Sequence, residues 1–137
     1  MKSQYWSIAL LPGLHSAEQK LLEAQGISNT QELLKRTQTP ESRIDLASKL
    51  KLNQKRLSKW IALADLGRIP SVGSQYCGLI LHAGIISAAQ LSQTPFHRLH
   101  AQISRLQVAT LRRKDLTPSV GQVKQWVEQA KILNQHL

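Results

Sequence analysis

The chain has 137 residues, 42% of them hydrophobic and only 4% aromatic, which is enough for one domain with a core of Leu, Ile, Val and Ala. Its 18 Lys+Arg against 8 Asp+Glu give a net charge of +10, shared between both halves, so the basicity is not a detachable tail and favours a polyanionic or acidic partner. A single cysteine excludes an intrachain disulfide and a Cys-based zinc site. No apolar run approaches a membrane span, and Ile8–Leu11 is too short a run for a secretory signal before Pro12-Gly13 cuts it, so a soluble cytoplasmic protein is expected.

In chain order, residues 1–10 read as an arm, with Tyr5, Trp6, Ile8 and Leu10 available to pack on the body. Leu11–His15 is a turn. Ser16 then offers an N-cap with Gln19 as its capping-box partner, Leu21 and Leu22 supply a buried stripe, and Gly26 stops the helix. Thr30 is the expected cap of a short helix carrying Leu33 and Leu34. Thr39-Pro40-Glu41 is a strong start signal, because a capping hydroxyl precedes a proline at the first helical position and an acid at the positive end of the dipole. Ile44, Leu46, Ala47 and Leu50 follow at roughly helical spacing, and Asn53 caps a helix whose apolar face runs from Leu57 through Trp60 to Leu66, with Gly67 as its stop.

The order then repeats. Pro12 registers with Pro70, Leu14 with Val72, Leu22 with Ile80, Gly26 with Gly84, Ile27 with Ile85 and Leu33 with Leu91, all at one offset. Ser87 caps a short helix, Thr94-Pro95 mirrors Thr39-Pro40, and Trp126 and Ala130 answer Trp60 and Ala64 at a larger offset, past a longer loop around Arg112–Pro118. No alternating strand pattern occurs. The expected fold is all-α, with about nine or ten short helices: an arm at 1–10, a first unit at 11–68 and a second at 69–137, fused over one core because neither unit closes a core alone.

The paired turns carry the functional expectation. An apolar-Pro-Gly turn opening a helix has the form of a helix-hairpin-helix turn, whose glycines let the backbone approach phosphate and whose free N–H groups donate to it. Such contacts grip nucleic acid without reading sequence. The order of turn, helix, Gly-Ile, short helix, Thr-Pro helix and Trp helix, with Ala64-Asp65-Leu66-Gly67-Arg68-Ile69-Pro70 at the joint and Val123-Lys124-Gln125-Trp126-Val127-Glu128-Gln129-Ala130 near the end, resembles a family of tandem helix-hairpin-helix-like domains of unknown function, common in cyanobacteria. The resemblance covers about Leu10 to Leu133 and implies a fold, not an activity. The chain departs from the hairpin pattern at two places: His15 replaces the second glycine of the first turn, and Ser71 replaces the first glycine of the second.

Two functions follow as expectations. In the first, the protein binds nucleic acid, DNA above all, without catalysis: Gly13, Leu14 and His15 with Ser71, Val72, Gly73 and Ser74 present donors, while Lys55, Lys59, Arg112, Arg113 and Lys114 supply charge. In the second, the hairpins only join helices and the basic faces dock an acidic protein partner. The two differ in whether the basic side chains share a face with open turns. His97 and His100 sit three apart, with His82 the nearest third ligand, too few for a metal site to be expected; Trp60 and Trp126 read as core anchors, and Cys77 as a buried thiol. No nucleophile elbow, Walker loop, dinucleotide fingerprint or paired carboxylate occurs, so no enzyme and no cofactor are expected.

Overall fold

A computed structural model describes residues 1–106 and 117–134. Among these the chain forms a 3-10 turn at Ile8–Leu10 and eight α-helices: α1 Ser16–Ala24, α2 Thr30–Lys35, α3 Pro40–Leu50, α4 Gln54–Gly67, α5 Gly73–His82, α6 Ala88–Ser92, α7 Phe96–Leu106 and α8 Val120–Asn134. The protein is all-α.

Most helix starts obey local chemistry. The side chains of Thr39, Asn53 and Ser87 accept from the backbone N–H groups of Ser42 (3.1 Å), Lys55 (2.8 Å) and Gln90 (3.0 Å), as the sequence predicts. Two caps differ. α1 is entered from His15 rather than Ser16, and its third residue, Glu18, returns a carboxylate to the His15 N–H at 3.0 Å. α2 is capped by Asn29, which accepts from Glu32 N–H at 2.9 Å, because Thr30 is needed inside. The Thr30 Oγ1 accepts from Trp6 N–H (3.1 Å), and its own N–H donates to the Trp6 carbonyl (2.9 Å). Tertiary demand has moved this cap by one residue.

Each half is built on its fourth helix. α4 packs against α2 and α3, and α8 against α6 and α7; Trp60 and Trp126 anchor these contacts at 1% exposure each. α4 is buried on more than one side, through Leu57, Ile61, Leu63, Ala64 and Leu66, because α5 of the second half lies along it as well. Among the described residues one apolar cluster takes in side chains from Trp6 to Leu133. α1 is thinner: only Leu22 of the Leu21/Leu22 pair is buried, since neighbours on a helix point about 100° apart and this helix buries one narrow stripe. Ile44 likewise faces outward, at 53% exposure.

Asp65 joins the halves. One carboxylate oxygen accepts from Arg68 Nε (2.8 Å) and the other from the backbone N–H of Ala88 (2.7 Å), so a side chain of α4 holds the first turn of α6. The arm is seated as firmly: Gln4 N–H donates to the Arg68 carbonyl (2.7 Å), Ile8 N–H to Ser28 (3.1 Å), and the Trp6 indole N–H to the Gly67 carbonyl (3.1 Å). Tyr5 and Leu10 stay exposed while Trp6 and Ile8 are buried.

Gly67 is therefore a seat as well as a helix end. A Cβ there would overlap the Trp6 ring. Helix propensity alone makes Gly→Ala stabilising by about 0.5–1 kcal/mol; overpacking against the indole reverses the sign. Gly67→Ala is expected to cost about 1–3 kcal/mol in urea unfolding and to red-shift the tryptophan emission as Trp6 leaves its seat. A stabilised protein with unchanged emission would contradict this seat.

Candidate functional site

In the first turn Gly13 is exposed, at φ +79°, with open space where a Cβ would lie. Leu14 packs half-buried on the core and His15 is exposed. The position an anion would take at the N-terminus of α1 is held by the chain's own carboxylate: Glu18, 8% exposed, accepts from His15 N–H and is clasped by Arg56 of α4 through both Nε and Nη2. The same guanidinium donates to the Gly13 carbonyl at 3.2 Å and lies 5.5 Å from the centre of the Trp60 ring. The Arg56 hydrogen bonds, aided by the His15 N–H, pull the Glu18 carboxyl down from 4.5 to about 2 against the opposing effect of burial. Arg56 thus fastens the turn to α4, and a phosphate approaching α1 meets a carboxylate.

The second turn is committed inward. Ser71 gives both its N–H (2.9 Å) and its hydroxyl (2.6 Å) to Oε1 of Gln129 on α8. Val72 and Gly73 are buried, and their N–H groups donate to the Ile69 carbonyl at 2.9 and 3.1 Å. Gly73 takes φ +56° beneath the arm, with the Gln4 side-chain nitrogen 3.6 Å from where a Cβ would be. Ser74 is half-buried, its carbonyl 3.7 Å from the Cys77 sulfur, and burial pushes that thiol up to about 11.

Lys55 and Lys59 gather elsewhere. One turn apart on α4, they stand on the lip of a groove of about 690 Å³ between the two halves. Arg43 of α3 joins them, its Nε donating to the Thr37 carbonyl at 2.9 Å. The floor is apolar, made by Leu34, Ile61, Ala62 and Leu81, and Ile86, 65% exposed, joins the lining beside Ser87. Among the described residues neither lysine has a carboxylate within ion-pairing distance, whereas Lys49 pairs with Asp45 (3.1 Å) and Arg56 with Glu18. Of the residues expected to act together, the structure brings Lys55 and Lys59 to one site and leaves both turns outside its lining. Arg112, Arg113 and Lys114 lie outside the described residues.

Arg43 and Ile86 also belong to this site, without a signal in the sequence. Asp65, which reads only as part of the Ala64–Pro70 joint, carries one: a lone acid in an otherwise apolar stretch, where a half-buried carboxylate needs partners. His82 lines a separate recess of about 340 Å³ with Gln102 and Arg105. Among the described residues no three His, Cys, Asp or Glu side chains converge as metal ligands, and no helix is long and apolar enough to cross a membrane.

The fold and groove define a class: a small all-α domain with a cationic, apolar-floored cleft lined by residues of α2, α3, α4 and α5. Residues 12–133 match the family described as Domain of unknown function (DUF4332), and the chain belongs to that family. Comparison with curated proteins and with solved structures finds no match.

The Glu18–Arg56 clasp has a pH signature. The folded value of Glu18 lies below its ordinary one, so its stabilisation is complete above pH 4.5 and is lost as pH falls toward about 2. Thermal unfolding should therefore show a stability decline across this interval that is shallower in Glu18→Gln than in the parent. Parallel pH profiles for the two proteins would contradict the clasp.

Proposed function

We propose that this chain is a non-catalytic docking module whose inter-unit groove receives an acidic segment of a partner protein. The observation that carries this reading is the pair Lys55 and Lys59, unpartnered among the described residues and set above an apolar floor. An apolar floor with a charged lip suits a segment that buries Leu-type side chains and places carboxylates at the rim. Ionic contacts there are partly screened and set orientation and encounter rate more than affinity; the desolvated floor supplies the affinity.

The charge surplus of +10 also fits nucleic acid. What favours a protein partner is the state of the two turns. Ser71, Val72 and Gly73 donate inward, and Glu18 occupies the anion position of α1.

A fluorescein-labelled helical peptide with leucines along one face and glutamates beside them should bind the protein at physiological salt. The Lys55→Glu/Lys59→Glu variant should bind it at least about tenfold more weakly, a loss of about 1.4 kcal/mol. Failure of the peptide to bind, or tighter binding to a short mixed-sequence DNA duplex that the same variant abolishes, would overturn the reading.

A further inference from the structure

The groove does not end at Asp65. A second groove, of about 620 Å³, abuts it along Leu34, Gln38 and Asp65, which line both. Its other side is the arm, through Lys2, Ser3 and Tyr5, and its base reaches Arg68 and Leu133. Tyr5 is 41% exposed here, in contrast to the buried Trp6 beside it. The arm thus does two things: Trp6 anchors it in the Gly67 seat, and its neighbours wall a cleft.

Charge is distributed unevenly along this combined track. Arg43, Lys55 and Lys59 make one end cationic, and Lys2, beside the paired Arg68, makes the other cationic. Between them sits a single carboxylate, Asp65, whose oxygens already accept from Arg68 Nε and Ala88 N–H. Arg68 is further fixed by its Nη1 donating to Ser3 Oγ at 3.2 Å, so Lys2 is the more adjustable cation at that end. Because Asp65 and Arg68 neutralise each other, a partner carboxylate placed there would lose water without gaining a free cation, whereas an apolar side chain would rest on Leu34.

We infer that the two grooves form one track for a single peptide segment of a partner protein, acidic at both ends and apolar and uncharged in its middle, with Lys2 and Tyr5 of the arm completing the half that Lys55 and Lys59 do not reach. This rests on the docking function proposed above and goes beyond it by fixing the charge pattern of the partner and by making the arm part of the site. The Asp65–Arg68 pair is the discriminating feature, since it leaves the middle of the track without a free cation. The two cationic ends then select the flanks.

Fluorescence anisotropy with two labelled peptides of identical composition tests the inference. One carries glutamates at both ends around a leucine-rich middle; the other carries the same glutamates in the centre. Each is titrated with the full chain, with Lys55→Glu/Lys59→Glu, and with Lys2→Glu/Tyr5→Ala, whose two side chains are exposed and whose urea midpoint should match the parent. The expected result is binding of the acid-ended peptide at least about tenfold tighter than the acid-centred one, weakened several-fold by either variant. Equal affinity for the two peptides, or sensitivity to the α4 lysines alone, would overturn the single track and leave the docking function standing. Sensitivity to the arm variant alone, or no binding of either peptide, would overturn both.

Discussion

One carboxylate sets the geometry on which the candidate site depends. Asp65 projects from α4, the helix that both halves share, and receives the first N–H of α6 while clasping Arg68. A helix's first turn has no partners of its own for its N–H groups, and a short helix such as α6 gives them little cooperative support. Together with the Ser87 cap, satisfying Ala88 from α4 fixes where α6 begins, and with it the place of Ile86 and Ser87 in the groove that Lys55 and Lys59 line. The first half solves the same problem differently. There the N–H at the start of α2, on Thr30, is satisfied by the Trp6 carbonyl of the arm. Equivalent needs in two similar units are met by a side chain in one and by an added segment in the other, and the groove lies between these fastenings.

The two Pro-containing turns have been drawn into the same structural work. In the first, Arg56 bridges Glu18 and the Gly13 carbonyl; in the second, Gln129 takes both donors of Ser71. These are the sites where the sequence departs from a two-glycine hairpin, at His15 and Ser71. Glycine's freedom at Gly13 and Gly73 is still used, since both take positive φ, but it serves to turn the chain. A backbone built for close approach can serve that approach or bury its donors, and Val72 and Gly73 have done the latter.

Much of the fold was legible because it is governed by short-range chemistry. Thr39-Pro40 and Ser87 open helices where their hydroxyls reach the backbone three residues on, and Trp60 and Trp126 anchor equivalent helices because a large apolar side chain in an apolar stripe has one favourable place to go. What failed was set at long range. Thr30 lost its capping role to Asn29 because Trp6, far away in sequence, needed its hydroxyl; Gly67 reads as a helix stop, and nothing local reveals the indole resting on it. The site shows the same division. Lys55 and Lys59 share a face by helical spacing alone, but that they meet Arg43 and Ile86 in a groove the turns do not line follows from how the halves pack. Binary patterning locates a buried face without saying which neighbour covers it.

The central claim is that the inter-unit groove, and not the pair of turns at Gly13 and Gly73, is where this chain meets its partner. Amide chemical-shift mapping on the isotope-labelled chain addresses it most directly, with the acid-ended peptide and a short DNA duplex titrated in separate samples. The account predicts peptide-induced shifts concentrated at Leu34, Gln38, Lys55, Lys59 and Ile86, with Gly13, His15 and Ser71 to Ser74 unmoved. Shifts centred on the two turns, appearing with the duplex and not with the peptide, would contradict it.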